Sequence, residues 1–112
     1  MIRKKIDPDT LTREYYNRAY DWFVNKGNIS EAIAEYNKVI QINPDFANAY
    51  YDLGFIYNQL GKKQETIIYF TNYLRCNRFA RDRKEIQSII DSLKLMVGTN
   101  VKVRYSKKYI TI

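Results

Sequence analysis

The chain repeats itself once at a spacing of 34 residues. Tyr16 recurs as Tyr50, Phe23 as Tyr57, Gly27 as Gly61, Glu31 as Glu65, Ile33 as Ile67 and Tyr36 as Phe70. A fixed period of this length marks one supersecondary unit stacked on its own copy, because neither copy can bury its apolar face alone. With 112 residues the chain is expected to form a single domain, residues 1–112, and to bury roughly two thirds of its unfolded surface.

Inside each copy the apolar spacing is helical. Tyr16, Ala19, Tyr20 and Phe23 fall on one face at a period near 3.6, and Lys26-Gly27-Asn28 then breaks the pattern. Gly27 can take a positive φ cheaply, and Ser30 is expected to cap the next helix. That helix carries Ala32, Ile33, Tyr36, Val39 and Ile40 and should stop before Asn43-Pro44, since the residue before proline avoids the helical region. The second copy presents Tyr50, Leu53, Gly54 and Tyr57, turns at Gly61, and continues with Thr66, Ile67, Phe70, Tyr73 and Leu74. Asp7-Pro8-Asp9 echoes Asn43-Pro44-Asp45, so the first helix is expected to begin near Asp9, with Asp45 as a cap and Glu65 as a first-turn charge.

The strings YYDLGFIYNQLG and NKGNISEAIAEYNKVIQINPDF resemble tetratricopeptide repeats (TPR). In that family an aromatic, a Leu-Gly pair and a second aromatic lie along the first helix, Ala and an aromatic along the second, and proline just past its end. The resemblance implies an all-α fold: a TPR-like stack of helical hairpins, an α-solenoid of about five helices. Repeat one would span 13–46, repeat two 47–80, a capping helix 81–98 and a basic C-terminal segment 99–112. Three residues depart from the pattern. Tyr20 stands where the family has a small residue, which implies wider spacing of the first helix pair; Thr66 replaces a small Ala; and Arg78 replaces the proline, so helix four could run on or turn differently.

Beyond the repeats, Ile86, Ile89, Ile90, Leu93 and Val97 form one helical stripe that Gly98 can end. The final segment changes period. Val101, Val103 and Tyr105 alternate with Lys102, Arg104 and Ser106, the pattern of an extended strand, which Lys107 and Lys108 could turn into a short hairpin.

Charge is informative only when divided. Residues 1–72 hold nine Lys/Arg and nine Asp/Glu, whereas residues 73–112 hold ten and three, so the whole +7 lies in the last 40 residues. Arg75, Arg78, Arg81, Arg83, Lys84, Lys102, Arg104, Lys107 and Lys108 form a candidate basic patch for nucleic acid or an anionic membrane surface. A solvated helix face with a soluble tail is the plainer reading.

Histidine is absent and Cys76 is the sole cysteine, so the common Ser-His and Cys-His nucleophiles and His-rich metal sites cannot be assembled from this chain. No catalytic residue, metal or cofactor is expected. Cys76 reads as a buried small residue rather than a reactive thiol. No apolar run approaches the ~20 residues of a spanning helix, and Met1 leads into Asp7-Pro8-Asp9 rather than a signal peptide, so a cytoplasmic protein is expected.

The family resemblance implies a concave groove lined by the first helix of each repeat, one that binds a protein or peptide. Its residues would be Glu14, Asn17, Asp21, Val24 and Asn25, then Asn48, Tyr51, Phe55, Asn58 and Gln59. Amide side chains can pair with any peptide backbone, and Tyr51 with Phe55 would supply an apolar anchor. Some TPR proteins clamp the terminal carboxylate of chaperones with Lys, Asn and Arg; the matching positions here are Asn17, Asp21, Asp52, Asp82 and Ile86. Aspartates would repel that carboxylate, so a neutral or basic ligand is expected instead. Tyr15 and Trp22 share a helix face with no preceding repeat, to be covered by Ile2, Ile6 and Leu11 or used for self-association as a homo-oligomer.

Overall fold

The computed structural model describes residues 6–98. Five α-helices account for most of them: α1 (Pro8–Tyr20), α2 (Ile29–Ile42), α3 (Ala47–Gln59), α4 (Lys63–Cys76) and α5 (Arg83–Val97). Among the described residues there is no strand, and the expected extended segment at 99–112 lies outside them. The chain divides into two compact units between Asp45 and Phe46, one residue from the junction that the period places between its copies.

In the first unit, α1 starts on Pro8, whose fixed φ suits the first helical position, with Asp7 as N-cap. The Thr10 N–H donates to Asp7 Oδ1 at 2.9 Å and the Thr10 hydroxyl to Oδ2 at 2.8 Å, and these bonds hold the Asp7 carboxyl below its usual range. The helix does not end as an ordinary α-helix. Its last turn, Asp21–Asn25, is π-helical: the Lys26 N–H reaches back to the Asp21 carbonyl at 3.0 Å, and the Asn28 N–H to the Trp22 carbonyl at 2.8 Å. Gly27 follows at φ 63°, the left-handed conformation its position predicted. The cap of α2 is Asn28, not Ser30: Asn28 Oδ1 accepts from the Glu31 N–H at 3.1 Å, and Ser30 already lies inside the helix. Ala32, Tyr36 and Val39 of α2 are fully buried, and the Tyr16 ring meets Tyr36 edge-on at 5.8 Å.

The second unit closes more tightly. A Cβ placed on Gly54 of α3 would collide with the Phe70 ring of α4, lying 2.6 Å from Cε1 and nearer still to Cδ1. The absent side chain therefore lets Phe70 pack directly on the α3 backbone. α3 ends in a Schellman motif, with the Gly61 N–H on the Asn58 carbonyl at 3.1 Å, the Lys62 N–H on the Tyr57 carbonyl at 2.9 Å, and Gly61 at φ 73°. The position before α3 belongs to Phe46, so Asp45 is not its N-cap; Asp45 instead donates its N–H to Asn43 Oδ1 at 3.1 Å. Thr66, in the family's Ala position, is fully buried because its hydroxyl is satisfied by the Lys62 carbonyl at 2.8 Å.

Despite the missing proline, α4 stops at Cys76. Arg83, the first residue of α5, donates through Nη2 to the carbonyls of Leu74 (2.5 Å) and Asn77 (3.3 Å), satisfying acceptors that a helix end leaves open. On α5 the predicted stripe faces inward, with Ile86, Ile90 and Leu93 buried, and Gly98 ends the helix at φ 87°.

Candidate functional site

The face of α3 opposite its core carries the residues with the most recognition chemistry. Tyr50, Leu53, Gly54 and Ile56 are buried, which leaves Asn48, Phe55, Asn58 and Gln59 exposed along the other side. Phe55 is 40% exposed, a large apolar ring at the centre of an amide-rich stripe. Tyr51 is half-buried rather than free: its ring meets Tyr73 edge-on at 5.1 Å and lies tilted on Phe70 at 6.0 Å. Tyr73 is anchored in turn, since its hydroxyl donates to Asp82 Oδ1 at 2.7 Å. Burial first, and then the Asp82 carboxylate, push the Tyr73 phenol up to about 12. Tyr51 is thus a fixed platform, and Phe55 is the more exposed of the two rings.

On α1 the outcome is different. Asn17 is exposed, but Asp21 and Asn25 fall in the π-helical turn and bond each other, Nδ2 to Oδ1 at 2.8 Å. Lys26 Nζ lies 3.3 Å from Asp21 Oδ2 and 4.4 Å above the Trp22 ring. Hydrogen bonds from Asn25 and then Lys26 hold the Asp21 carboxyl below its usual range. The acidity expected for this face is therefore offset locally by Lys26.

The two aromatics expected to lie on an uncovered face are both half-buried and both carry cations. Arg18 sits 5.1 Å and Lys38 5.4 Å from the Tyr15 ring centre, and Lys26 covers Trp22. Lys38 also pairs with Glu35 at 3.4 Å. Cation–π contacts of this kind are attractive even in water, so neither ring presents a bare apolar surface. Of the residues expected to cover them, Ile6 is 57% exposed, Leu11 is half-buried, and Ile2 lies outside the described residues.

The basic residues separate into two groups. Arg78, Arg81 and Lys84 are exposed, whereas Arg75 and Arg83 are half-buried and bonded within the unit, Arg75 Nη2 to Asn72 Oδ1 and Arg83 to the end of α4. Arg75, Arg78 and Arg83 line one cleft of about 450 Å³ with Thr71, Leu74 and Gln87. Lys102, Arg104, Lys107 and Lys108 lie outside the described residues. Cys76 is only half-buried, at the last residue of α4, so the expectation of a buried packing residue is corrected. The role of Arg83 as a cap and that of Lys26 as a bridge were not visible in the sequence, because both depend on partners fixed by the fold.

At the positions matching the chaperone clamp, Asp82 accepts the Tyr73 hydroxyl and Ile86 is 5% exposed. No helix of the described residues is long and apolar enough to cross a membrane.

No curated protein matches the chain. Protein-family comparison finds a TPR repeat over residues 21–61 and a tetratricopeptide repeat over residues 47–78. Repeats of this kind are protein–protein interaction units, typically without catalytic activity of their own. The two matches together run from residue 21 to residue 78, through the π-helical turn, both glycine turns and the α3–α4 hairpin, and the chain belongs to the tetratricopeptide repeat family.

Proposed function

We propose that the chain is a non-catalytic adaptor that binds a neutral or basic peptide, or a partner's helix, through the first helix of its repeats. The observation that carries this reading is the stripe on α3: Phe55 exposed among Asn48, Asn58 and Gln59, beside a Tyr51 ring already immobilised by Tyr73. Aromatic rings that lose little freedom on binding are efficient anchors, and amides bond a peptide backbone whatever its side chains. The α1 face would add Asn17, with Asp21 and Asn25 held in their mutual bond. Its charge is offset by Lys26, which agrees with a neutral rather than an acidic ligand.

An array of extended and helical peptides probed with the full chain and with Phe55→Ala tests this. Selected peptides should bind the variant about tenfold more weakly or worse, the loss of a central apolar contact, while its circular dichroism stays unchanged. Equal binding by both proteins would remove α3 from recognition.

A further inference from the structure

The cleft between α4 and α5 has a composition that the packing of the two helices does not require. Three guanidinium groups, from Arg75, Arg78 and Arg83, line it over Leu74, and no carboxylate is among its lining residues. The nearest acidic residue in sequence, Asp82, is turned to the Tyr73 hydroxyl. Arg83 is held in place by two carbonyls of α4, and its other N–H groups make no hydrogen bond among the described residues. Thr71 contributes a hydroxyl oxygen that is buried and has no hydrogen-bond partner among them. Gathering like charges around an unused polar atom is unfavourable unless an anion joins them.

From this we infer that the cleft is a binding site for a phosphorylated side chain of a protein partner, an inference that rests on the reading of the chain as an interaction module. A phosphate monoester brings nearly two charges and three strong acceptor oxygens, matching several guanidinium donors at once; a single carboxylate is satisfied by one bidentate arginine. The volume of about 450 Å³ holds the phosphate together with its side chain and adjoining backbone. Gln87, one turn along α5 from Arg83, has its Nε2 donating to Asp91 Oδ1 at 2.9 Å, which leaves its amide oxygen to accept from that backbone. A nucleic acid would need cations tracking successive phosphates along a groove. The adjoining surface of α5, which shares Arg83 and Gln87 with the cleft, mixes Lys84 with Asp91, Ser88 and Ser92, so the purely positive lining is confined to the α4 side. The site is separate from the chaperone-clamp positions, none of which lines it.

The test is a titration of the isotope-labelled full chain, followed by NMR at the side-chain N–H signals of Arg83 and Gln87. The probes are N-acetyl-phosphoserine methylamide, its serine analogue and oligothymidylate. The phosphorylated probe should give saturable shifts at both signals and the serine analogue none. Arg78→Gln, which alters an exposed arginine with no role in capping α4, should weaken binding about tenfold. Absence of saturable shifts, equal shifts with the serine probe, or insensitivity to Arg78→Gln would overturn the proposal. So would tighter binding of oligothymidylate with shifts spread along α5, which would assign the arginines to nucleic acid. Phe55→Ala should leave the phosphoserine shifts unchanged, so loss of peptide binding at α3 and loss of this site are separately visible.

Discussion

Position by position, the two hairpins answer each other at a spacing of 34, yet they are held together differently. In the second, Gly54 lets the Phe70 ring touch the backbone of α3, and Tyr57 stacks on Tyr69 at 5.3 Å with an interplanar angle of 7°. In the first, Tyr20 replaces Gly54 and Glu35 replaces Tyr69. Tyr20 is 48% exposed, resting against Tyr16 at 6.4 Å, and the helix widens into its π turn at the next residue. Glu35 is buried with Lys38 as its ion-pair partner. The same template thus tolerates an aromatic lock in one copy and a widened turn with a partly buried charge in the other. What it conserves is the turn glycine, at φ 63° and 73°.

The sharpest way to break this comparison is at Gly54. A methyl group there meets a ring that is 2% exposed and has little room to retreat, so Gly54→Ala should destabilise the protein by about 3 kcal/mol in urea unfolding. A loss below about 1 kcal/mol would mean that the second hairpin is as adaptable as the first.

Next in size is the Tyr73–Asp82 bond, which the first hairpin cannot make because Val39 stands at the corresponding place. Tyr73→Phe should cost about 1.5 kcal/mol at neutral pH, the usual loss for a hydrogen bond to a charged acceptor. The phenol is raised to about 12 from an ordinary value of 10, so the folded state holds its proton longer than the unfolded state. Its contribution is therefore complete below pH 10 and lost as pH rises towards 12. Urea unfolding at pH 9 and at pH 11.5 should show the wild type losing more stability than Tyr73→Phe over that interval. Parallel losses in both proteins would remove Tyr73 from the alkaline response.

The smallest expected effect lies at Tyr20. Tyr20→Ala trims an exposed ring and should change stability by no more than about 0.5 kcal/mol. A loss comparable to that of Gly54→Ala would make the ring a structural lock of its own and dissolve the contrast.

Much of this architecture could be read from the residues, for local reasons. Pro8 at the first turn of α1, glycines in left-handed turns, the stop before Asn43-Pro44 and the α5 stripe ending at Gly98 each follow from the conformational limits of one or two residues. The misreadings arise where two local solutions compete or where the partner is distant. Ser30 and Asn28 are both capable caps, and only the backbone path selects Asn28. Arg83 stops α4 from nine residues beyond Leu74, a role no spacing rule assigns. For the proposed recognition stripe, sequence position named Asn48, Phe55, Asn58 and Gln59, all of which are exposed. It also offered Tyr51 as an open anchor, whereas the fold ties that ring to Tyr73.

The π turn has one more consequence. Because each of its hydrogen bonds spans an extra residue, the chain winds through less arc there than an α-helix of equal length. Upstream of Asp21 the repeat nonetheless keeps its phase, since Ala19 is buried as its counterpart Leu53 is, and Tyr16, the counterpart of buried Tyr50, packs on Tyr36. The difference is felt where the π turn begins: Tyr20 is 48% exposed, whereas its counterpart Gly54 is buried. Ligand-contact maps from other tetratricopeptide repeats can be laid on α3 directly, but at Asp21–Asn25 they meet a wider turn that α3 does not have.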